Sequence, residues 1–149
     1  MSDFTSQQLV VFSLGAEEYA LPIGSVHEII RYTEPRTVAS DAAWIRGVIG
    51  LRGKIIPIFD LAARMGLAPA GDREPGKIVI VSSGAGQVGV MVDDVEEVLT
   101  VEPSQLEDVP TANRDSIDAI AKIEDRLVVL LNTSGLFARE VAEELASAA

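Results

Sequence analysis

Short runs of apolar residues divide the chain into segments typical of β-strands. In the densest stretch, Gly47–Leu61, two runs rich in Ile, Val and Leu flank the dipeptide Arg52-Gly53. A glycine beside a polar residue between such runs is typical of a tight hairpin turn, because glycine accepts positive φ without steric cost. We therefore predict a β-hairpin with Arg52 at its tip. Pro57 should lie at an edge or bulge, since proline has no N–H to donate to a ladder.

Helices are predicted at three places between and after the strands. The apolar residues of Ile23–Ile30 have helical spacing and predict a short helix that carries Glu28. Asp60 can cap a second short helix at Leu61–Met65. The C-terminal segment, at about residues 133–147, carries an i, i+4, i+8 apolar stripe and predicts a third helix.

The chain contains an internal repeat. Leu9–Ile30 aligns without a gap with a later segment at an offset of 69, and Val48–Asp60 aligns at an offset of 72. Such a repeat must be recognised early, because a missed duplication misassigns the whole fold. Within one domain of 149 residues, it predicts two β subdomains, about residues 7–68 and 76–133, joined by a Pro- and Gly-rich linker at about 68–76.

The repeat also separates shared features from unshared ones. The tip Arg52-Gly53 corresponds to Glu124-Asp125 in the second half, so a basic tip is not needed to form the turn. Arg52 is therefore the candidate functional residue, because arginine on a rigid turn suits partner recognition through its planar donor fork. Glu28 could orient it by a salt bridge.

Composition and charge narrow the class of protein. Apolar residues make up 48% of the chain, which is too many for a disordered protein. The net charge of −11 opposes binding to nucleic acid or to an anionic membrane surface, since both are polyanionic. The N-terminal residues lack the features of a signal peptide, and no apolar run approaches eighteen residues, so we expect a cytoplasmic protein without membrane insertion.

Candidate catalytic and metal-binding groups are few. The chain has no cysteine, and its one histidine, His27, is more simply explained as a surface or partly packed residue than as part of a catalytic relay. The acidic residues between Asp93 and Glu97 alternate with valines as a solvated face would, without calcium-loop spacing. Gly71–Ile78 has most of a phosphate-loop spacing but opens a strand, and Ile78 replaces the expected Ser or Thr. We predict no catalytic residue, no metal and no cofactor.

At these residues the chain resembles a known family. The stretch Gly47–Leu61 is similar to the signature of CheW-type chemotaxis coupling proteins, in which Gly-Val-x-Asn-Leu-Arg-Gly is followed by apolar-Pro-apolar and Asp-Leu. The segments Leu9–Gly15, Val26–Ile29 and Val88–Val95 also resemble the family, in its order and spacing. One departure is Gly50, which stands where the family usually has asparagine.

The resemblance implies a fold and a function. The fold is mostly β, with two SH3-like five-stranded β-barrels in tandem, short helices and a C-terminal helix. The function is that of a non-catalytic adaptor, which couples the cytoplasmic tip of chemoreceptors to the regulatory domain of the histidine kinase CheA at membrane receptor arrays. In the family the receptor tip docks in the groove between the barrels. Carried over by position, the receptor-binding residues are Val26, Glu28, Arg46, Gly47 and Arg52, whereas the resemblance assigns no kinase-binding residues.

Two alternatives remain open from the sequence. The chain could serve a related kinase system for pili or gliding motility rather than flagella. It could also be a small-molecule-binding regulatory domain, with the groove between the subdomains as its pocket.

Overall fold

Strands dominate the computed structural model, which describes residues 6–37, 45–64, 76–83, 86–107 and 117–132. The first half contains β1 (Gln7–Leu14), β2 (Glu17–Pro22), β3 (Val26–Arg31), β4 (Ile45–Leu51), β5 (Lys54–Asp60) and the helix α1 (Leu61–Arg64). The second half contains β6 (Lys77–Ser83), β7 (Gly86–Val92), β8 (Asp94–Val101), β9 (Leu106–Glu107), β10 (Ile117–Ile123) and β11 (Arg126–Leu131). The mostly β architecture implied by the sequence is confirmed.

The strands form two sheets. The first sheet has the order β8-β1-β2-β11-β10-β9, and the second sheet has the order β3-β6-β7-β5-β4. Neighbouring strands are antiparallel except for β11 with β2 and β5 with β7. Among the described residues, neither sheet closes into a complete barrel by ladder pairing.

The strand positions agree with the internal repeat. At the offset of 69, β1, β2 and β3 fall on β6, β7 and β8; at the offset of 72, β4 and β5 fall on β10 and β11. The two sheets consequently have the same order of repeat-equivalent strands. Even the short β9 has a counterpart, because the bridge between Arg36 and Val48 in the second sheet matches the pairing of Glu107 with Ile120 in the first.

The contiguous subdomains expected at residues 7–68 and 76–133 are not the structural units. The β1–β2 hairpin from the first half lies in the first sheet with β8, β10 and β11, and the β6–β7 hairpin lies in the second sheet with β3, β4 and β5. The first hairpin of each half therefore lies in the sheet whose remaining strands come from the other half. The apolar pattern predicts where strands occur but not which strands pair, because pairing is decided by tertiary packing.

The helix predicted at Ile23–Ile30 is wrong. Ile23–Ser25 forms one 3-10 turn, and Val26–Arg31 is the strand β3. Half-buried and exposed residues alternate along β3, so the same apolar positions satisfy a period of two. The β-branched residues of this segment favour the pleated alternative once β6 is available as a neighbour.

Buried side chains form three clusters. One lies between the two sheets and contains Phe12, Leu14, Tyr19, Leu21, Phe59, Leu61, Val79, Val81, Val88, Val90, Val92 and Leu131. A second cluster belongs to the first sheet and contains Leu9, Val11, Ala20, Val101, Ala121, Val128 and Leu130. The third belongs to the second sheet and contains Ile49, Ile56, Ile58, Ile78, Ile80 and Met91. Central strands such as β6 are buried on both faces, which explains their unbroken apolar runs.

Of two local predictions around the central hairpin, the cap on α1 is confirmed, whereas the edge or bulge position of Pro57 is wrong, because β5 is an interior strand and the bulge lies between Ile45 and Gly47 on β4. Pro57 is tolerated on β5 because the N–H and C=O of its ladder partner Val48 bond Arg36 instead, at 2.9 and 2.8 Å. On the other side of β5, the pairing with β7 begins only at Ile58. Asp60 Oδ1 accepts the N–H of Ala63 at 3.3 Å and caps α1.

Other expectations fall outside the described residues. These are the linker at 68–75, the C-terminal helix at 133–147 and the end of the helix at Met65. The described part of Gly71–Ile78 leads into the strand β6 rather than into a helix. In the part of the chain that the structure describes, no helix has the length and apolar character needed to cross a membrane.

Candidate functional site

The tip of the β4–β5 hairpin is a two-residue turn with a defined backbone conformation. Leu51 pairs with Lys54, and the two residues between them have positive φ, 54° at Arg52 and 80° at Gly53. This combination is typical of a type I′ turn, whose twist matches that of the flanking strands. A non-glycine residue with positive φ costs roughly 1–2 kcal/mol, so Arg52 holds this position against a local backbone penalty.

Arg52 forms the salt bridge with Glu28 that the sequence suggests. Its Nε donates to Oε1 and its Nη2 to Oε2, both at 3.0 Å, so the contact is bidentate. Glu28 lies on β3 and Arg52 follows β4, and these strands are at opposite edges of the second sheet. The ion pair therefore links the two edges of the sheet.

The environment of this pair differs between its two members. The side chain of Arg52 is 71% exposed and that of Glu28 is 21% exposed. The hydrogen bonds from Arg52 lower the pKa of Glu28, and the same contact raises the pKa of Arg52. Both residues consequently remain charged over the neutral range. Among the described residues, none accepts a hydrogen bond from Nη1 of Arg52, which leaves its donors to solvent or to a partner.

His27 lies beside this pair. It occupies a bulge in β3 between Val26 and Glu28, and its Nε2 is 3.9 Å from Oε1 of Glu28. About half of the side chain is exposed. The described residues contain no group of three or more His, Cys, Asp or Glu side chains arranged to hold a metal ion.

Arg46 and Gly47 lie in a second bulge, at the start of β4. Nη1 of Arg46 is 3.6 Å from Oδ2 of Asp60, the residue that caps α1. Gly47 has a φ of 147°, and a Cβ at this position would clash with the carbonyl group of Arg36. Both residues thus have clear structural roles, in the helix cap and in the close approach of two backbones.

The structure brings some of the five predicted receptor-binding residues together and separates others. Val26 begins β3 two residues before Glu28, at the end of the sheet where Arg52 lies. Arg46 is six residues from Arg52 along β4, a distance of about 20 Å. Gly47 lies beside Arg46. The five residues therefore do not form one cluster: Val26, Glu28 and Arg52 lie at one end of the second sheet, and Arg46 and Gly47 lie at the other.

The second hairpin tip has its own ion pair. Glu124 has a φ of 55°, close to that of its repeat counterpart Arg52. The basic residue is now Arg126, which contacts Glu18 at 3.0 and 2.9 Å and Glu97 at 2.8 Å. Its side chain is only 35% exposed, and the hydrogen bond to the Glu18 carboxylate raises its pKa. Glu97 is the repeat counterpart of Glu28, so both sheets use the same acidic position.

Sequence reasoning missed four exposed apolar residues near these tips. They occupy two equivalent positions of the repeat, with Ile29 matching Val98 at the offset of 69 and Ile55 matching Leu127 at the offset of 72. Apolar runs had suggested buried strands, but the outer strands and the hairpin ends leave these side chains uncovered. Comparing the two halves for apolar residues close to the turns could have found them.

Comparison with known proteins identifies the class. A family model described as CheW-like domain matches residues 8–141, and the chain belongs to this family. It is 32% identical to the "Probable chemotaxis protein CheW" of Rhizobium etli over 92% of this chain and 91% of that protein. It is 30% identical to the "Chemotaxis protein CheW" of Bacillus subtilis over 93% and 92% of the two chains.

A solved structure supports the same assignment. The crystal structure of the scaffolding protein TtCheW from Thermoanaerobacter tengcongensis superposes on this chain with a TM-score of 0.82. The two sequences are 32% identical, and the match covers 90% of this chain and 94% of the other. The two-sheet architecture is therefore that of the family, with the departure at Gly50 in an exposed and unstrained position.

Proposed function

We propose that this protein is a non-catalytic adaptor that couples chemoreceptors to a CheA-type histidine kinase in chemotaxis signal transduction. Membership of the CheW-like domain family supports this function, and so do the chemotaxis proteins that it resembles over nine-tenths of its length. The protein works in the cytoplasm, at the receptor arrays of the membrane. It uses no cofactor and catalyses no reaction.

The observation that carries the receptor-binding role is the exposed guanidinium of Arg52. Its backbone is fixed by the turn, its Nε and Nη2 are held by Glu28, and its Nη1 donates no hydrogen bond to the described residues. A cation held in this way loses little conformational freedom on binding. A carboxylate or a helix C-terminus on the partner would provide suitable acceptors.

The proposed receptor surface comprises Val26, Glu28, Arg46, Gly47 and Arg52. Because Arg46 and Arg52 are about 20 Å apart along β4, one partner segment must span that distance to reach both. An α-helix of roughly 13 residues is long enough. A helical receptor tip that lies along β4 would therefore reach both arginines. The kinase would dock elsewhere on the scaffold.

A binding titration tests the function and the role of Arg52 together. A purified fragment of a chemoreceptor tip is titrated against the wild type, against Arg52→Glu and against the control Glu124→Arg at the equivalent tip. We expect Arg52→Glu to weaken receptor binding by about tenfold or more, because a charge reversal removes an anchor. Glu124→Arg should leave it unchanged.

Kinase capture from the native cytoplasm completes the test. The wild type and both variants should retain a CheA-type kinase to the same extent. If the wild type binds no receptor tip and captures no such kinase, the adaptor function is wrong. If Arg52→Glu binds the receptor as tightly as the wild type does, the function stands but Arg52 is not an anchor.

A further inference from the structure

Lys54 directly follows the turn at the hairpin tip of the second sheet. It is the first residue of β5, it is exposed, and it makes no ion pair within the part of the chain that the structure describes. Its repeat counterpart at the offset of 72 is Arg126, which contacts two carboxylates in the first sheet. The same ladder position therefore carries a paired cation in one sheet and an unpaired cation in the other.

The difference arises from the acidic positions around the cation. In the first sheet, Glu18 on β2 accepts from Arg126 at 3.0 and 2.9 Å. At the offset of 69 this position is Gln87 on β7, which is neutral. The second acidic position is kept as Glu28, but both of its carboxylate oxygens already accept from Arg52. Neither position thus offers a free carboxylate to the lysine.

Lys54, Gln87 and Glu28 lie on one face of the second sheet, the face that carries the third buried cluster. Alternate residues of a strand share a face, and so do directly paired residues of an antiparallel ladder. The cluster members that fix this face are Ile56 for Lys54, Met91 for Gln87 and Ile80 for Glu28. All three residues also lie at one end of the sheet, since β3, β5 and β7 run in the same direction and begin there. This is the end at which Arg52 lies.

The first sheet shows how closely such positions approach one another. Nη2 of Arg126 is 2.9 Å from Oε2 of Glu18 and 2.8 Å from Oε2 of Glu97. Both sheets have the same order of equivalent strands, so a carboxylate that enters the corresponding end of the second sheet would meet Lys54 at a similar place. Glu18 is thus an internal example of the group that the second sheet lacks.

The balance of charge differs accordingly between the two ends. In the first sheet, two carboxylates surround Arg126, and both tip residues are acidic. In the second sheet, the single carboxylate of Glu28 stands against the two cations Arg52 and Lys54. A cationic end on a protein with a net charge of −11 favours an acidic partner group and disfavours a basic one.

We propose that Lys54, left unpaired by Gln87, is a second cationic contact beside Arg52 for a carboxylate of the receptor segment. This inference rests on the proposed adaptor function. The carboxylate would accept from Nζ of Lys54 and from the Nη1 group of Arg52, which has no acceptor among the described residues. A glutamate at position 87 would neutralise the lysine from within the protein, as Glu18 does for Arg126. The glutamine leaves that role to the partner.

The test extends the receptor-tip titration to four variants. Lys54→Gln removes the charge, Gln87→Glu introduces the carboxylate of the other half, and Lys54→Arg restores the cation in the form that the first sheet uses. The control Lys122→Gln removes one charge from the hairpin of the first sheet, where Nζ is 2.9 Å from Oε2 of Glu107. Both lysines are exposed, so their replacement should leave the thermal unfolding midpoint nearly unchanged.

The expected losses are those of one exposed charge contact. Lys54→Gln and Gln87→Glu should each weaken receptor binding by about three- to fivefold. Lys54→Arg and Lys122→Gln should bind as the wild type does. At about 1 M salt the losses should disappear, because the Debye length falls to about 3 Å.

The outcomes separate this inference from the function on which it rests. If Arg52→Glu weakens receptor binding and Lys54→Gln does not, the second contact is wrong and the adaptor function stands. An equal loss for Lys122→Gln would also overturn the inference, because net charge alone would explain both. The inference fails as well if Gln87→Glu binds as tightly as the wild type does, or if the losses persist at about 1 M salt. If the wild type binds no receptor tip, both proposals are wrong.

Discussion

The two hairpin tips begin with the same backbone conformation and differ in their chemistry, and only the first has positive φ at its second residue, Gly53. Each is a two-residue turn whose first residue has a φ near 55°, and in each sheet an arginine contacts the same acidic position, Glu28 or Glu97. In the second sheet the arginine is Arg52, which lies at the tip and is mostly exposed. In the first sheet it is Arg126, which directly follows the turn and contacts the carboxylates of Glu18 and Glu97. The turn and the acidic residue therefore belong to the scaffold. The exposed guanidinium is the feature to which we assign the proposed receptor-binding role.

The largest expected effect on stability compares the two β-bulges, which contain Gly47 in β4 and Ala119 in β10. Gly47 has positive φ, while its repeat counterpart Ala119 does not. Gly47→Ala should lower the free energy of unfolding by about 2 kcal/mol or more, because the backbone conformation disfavours a Cβ and the carbonyl of Arg36 occupies its place. Ala119→Gly should cost only about 1 kcal/mol, through added chain entropy. Urea unfolding measures both, and equal losses would mean that the bulges are interchangeable.

A smaller effect should separate the two arginines. Arg126→Ala leaves Glu18 and Glu97 close together without their common cation, and we expect a loss of about 1 kcal/mol after allowance for solvent screening. Arg52→Ala should leave the unfolding midpoint nearly unchanged, because its guanidinium is exposed and has one partner. Chemical denaturation of both variants checks this. A loss at Arg52 as large as that at Arg126 would show that the exposed pair is mainly structural.

The smallest expected effect on stability concerns Gly50, which stands where the family usually has asparagine. This glycine has an ordinary extended conformation with open space around it, so Gly50→Asn should be accepted and should stabilise the protein by about 0.5 kcal/mol through the unfolded state. Gly53→Ala is the matched control. It should destabilise the protein, because Gly53 has a φ of 80° in the turn. Thermal unfolding distinguishes the two, and a destabilising Gly50→Asn would reveal a constraint that the backbone conformation does not show.

Much of the site was predictable because it depends on local chemistry. The hairpin, the exposed tip and the contact between Arg52 and Glu28 follow from a glycine turn, a repeat with unlike tips and two opposite charges. The strand β3 was missed because Ile23–Ile30 fits a helical spacing as well as an alternating one. The exchange of hairpins between the sheets was missed for a different reason. Equivalent strands have similar apolar patterns, so β1 and β6 are equally suitable for either sheet, and only packing selects between them.

The exchange of hairpins has a consequence for the way the protein folds as it is synthesised. The second sheet has all its strands once Val92 has left the ribosome, since β7 is the last of them in the chain. The first sheet must wait for Leu131, because β11 lies between β2 and β10. Strands β1 and β2 emerge first, but β1 must wait for β8, which ends at Val101, and β2 remains without its neighbour β11 for more than a hundred residues of translation. Such long-range pairing slows folding, so the earliest hairpin of the nascent chain is also the one that depends longest on protection from aggregation.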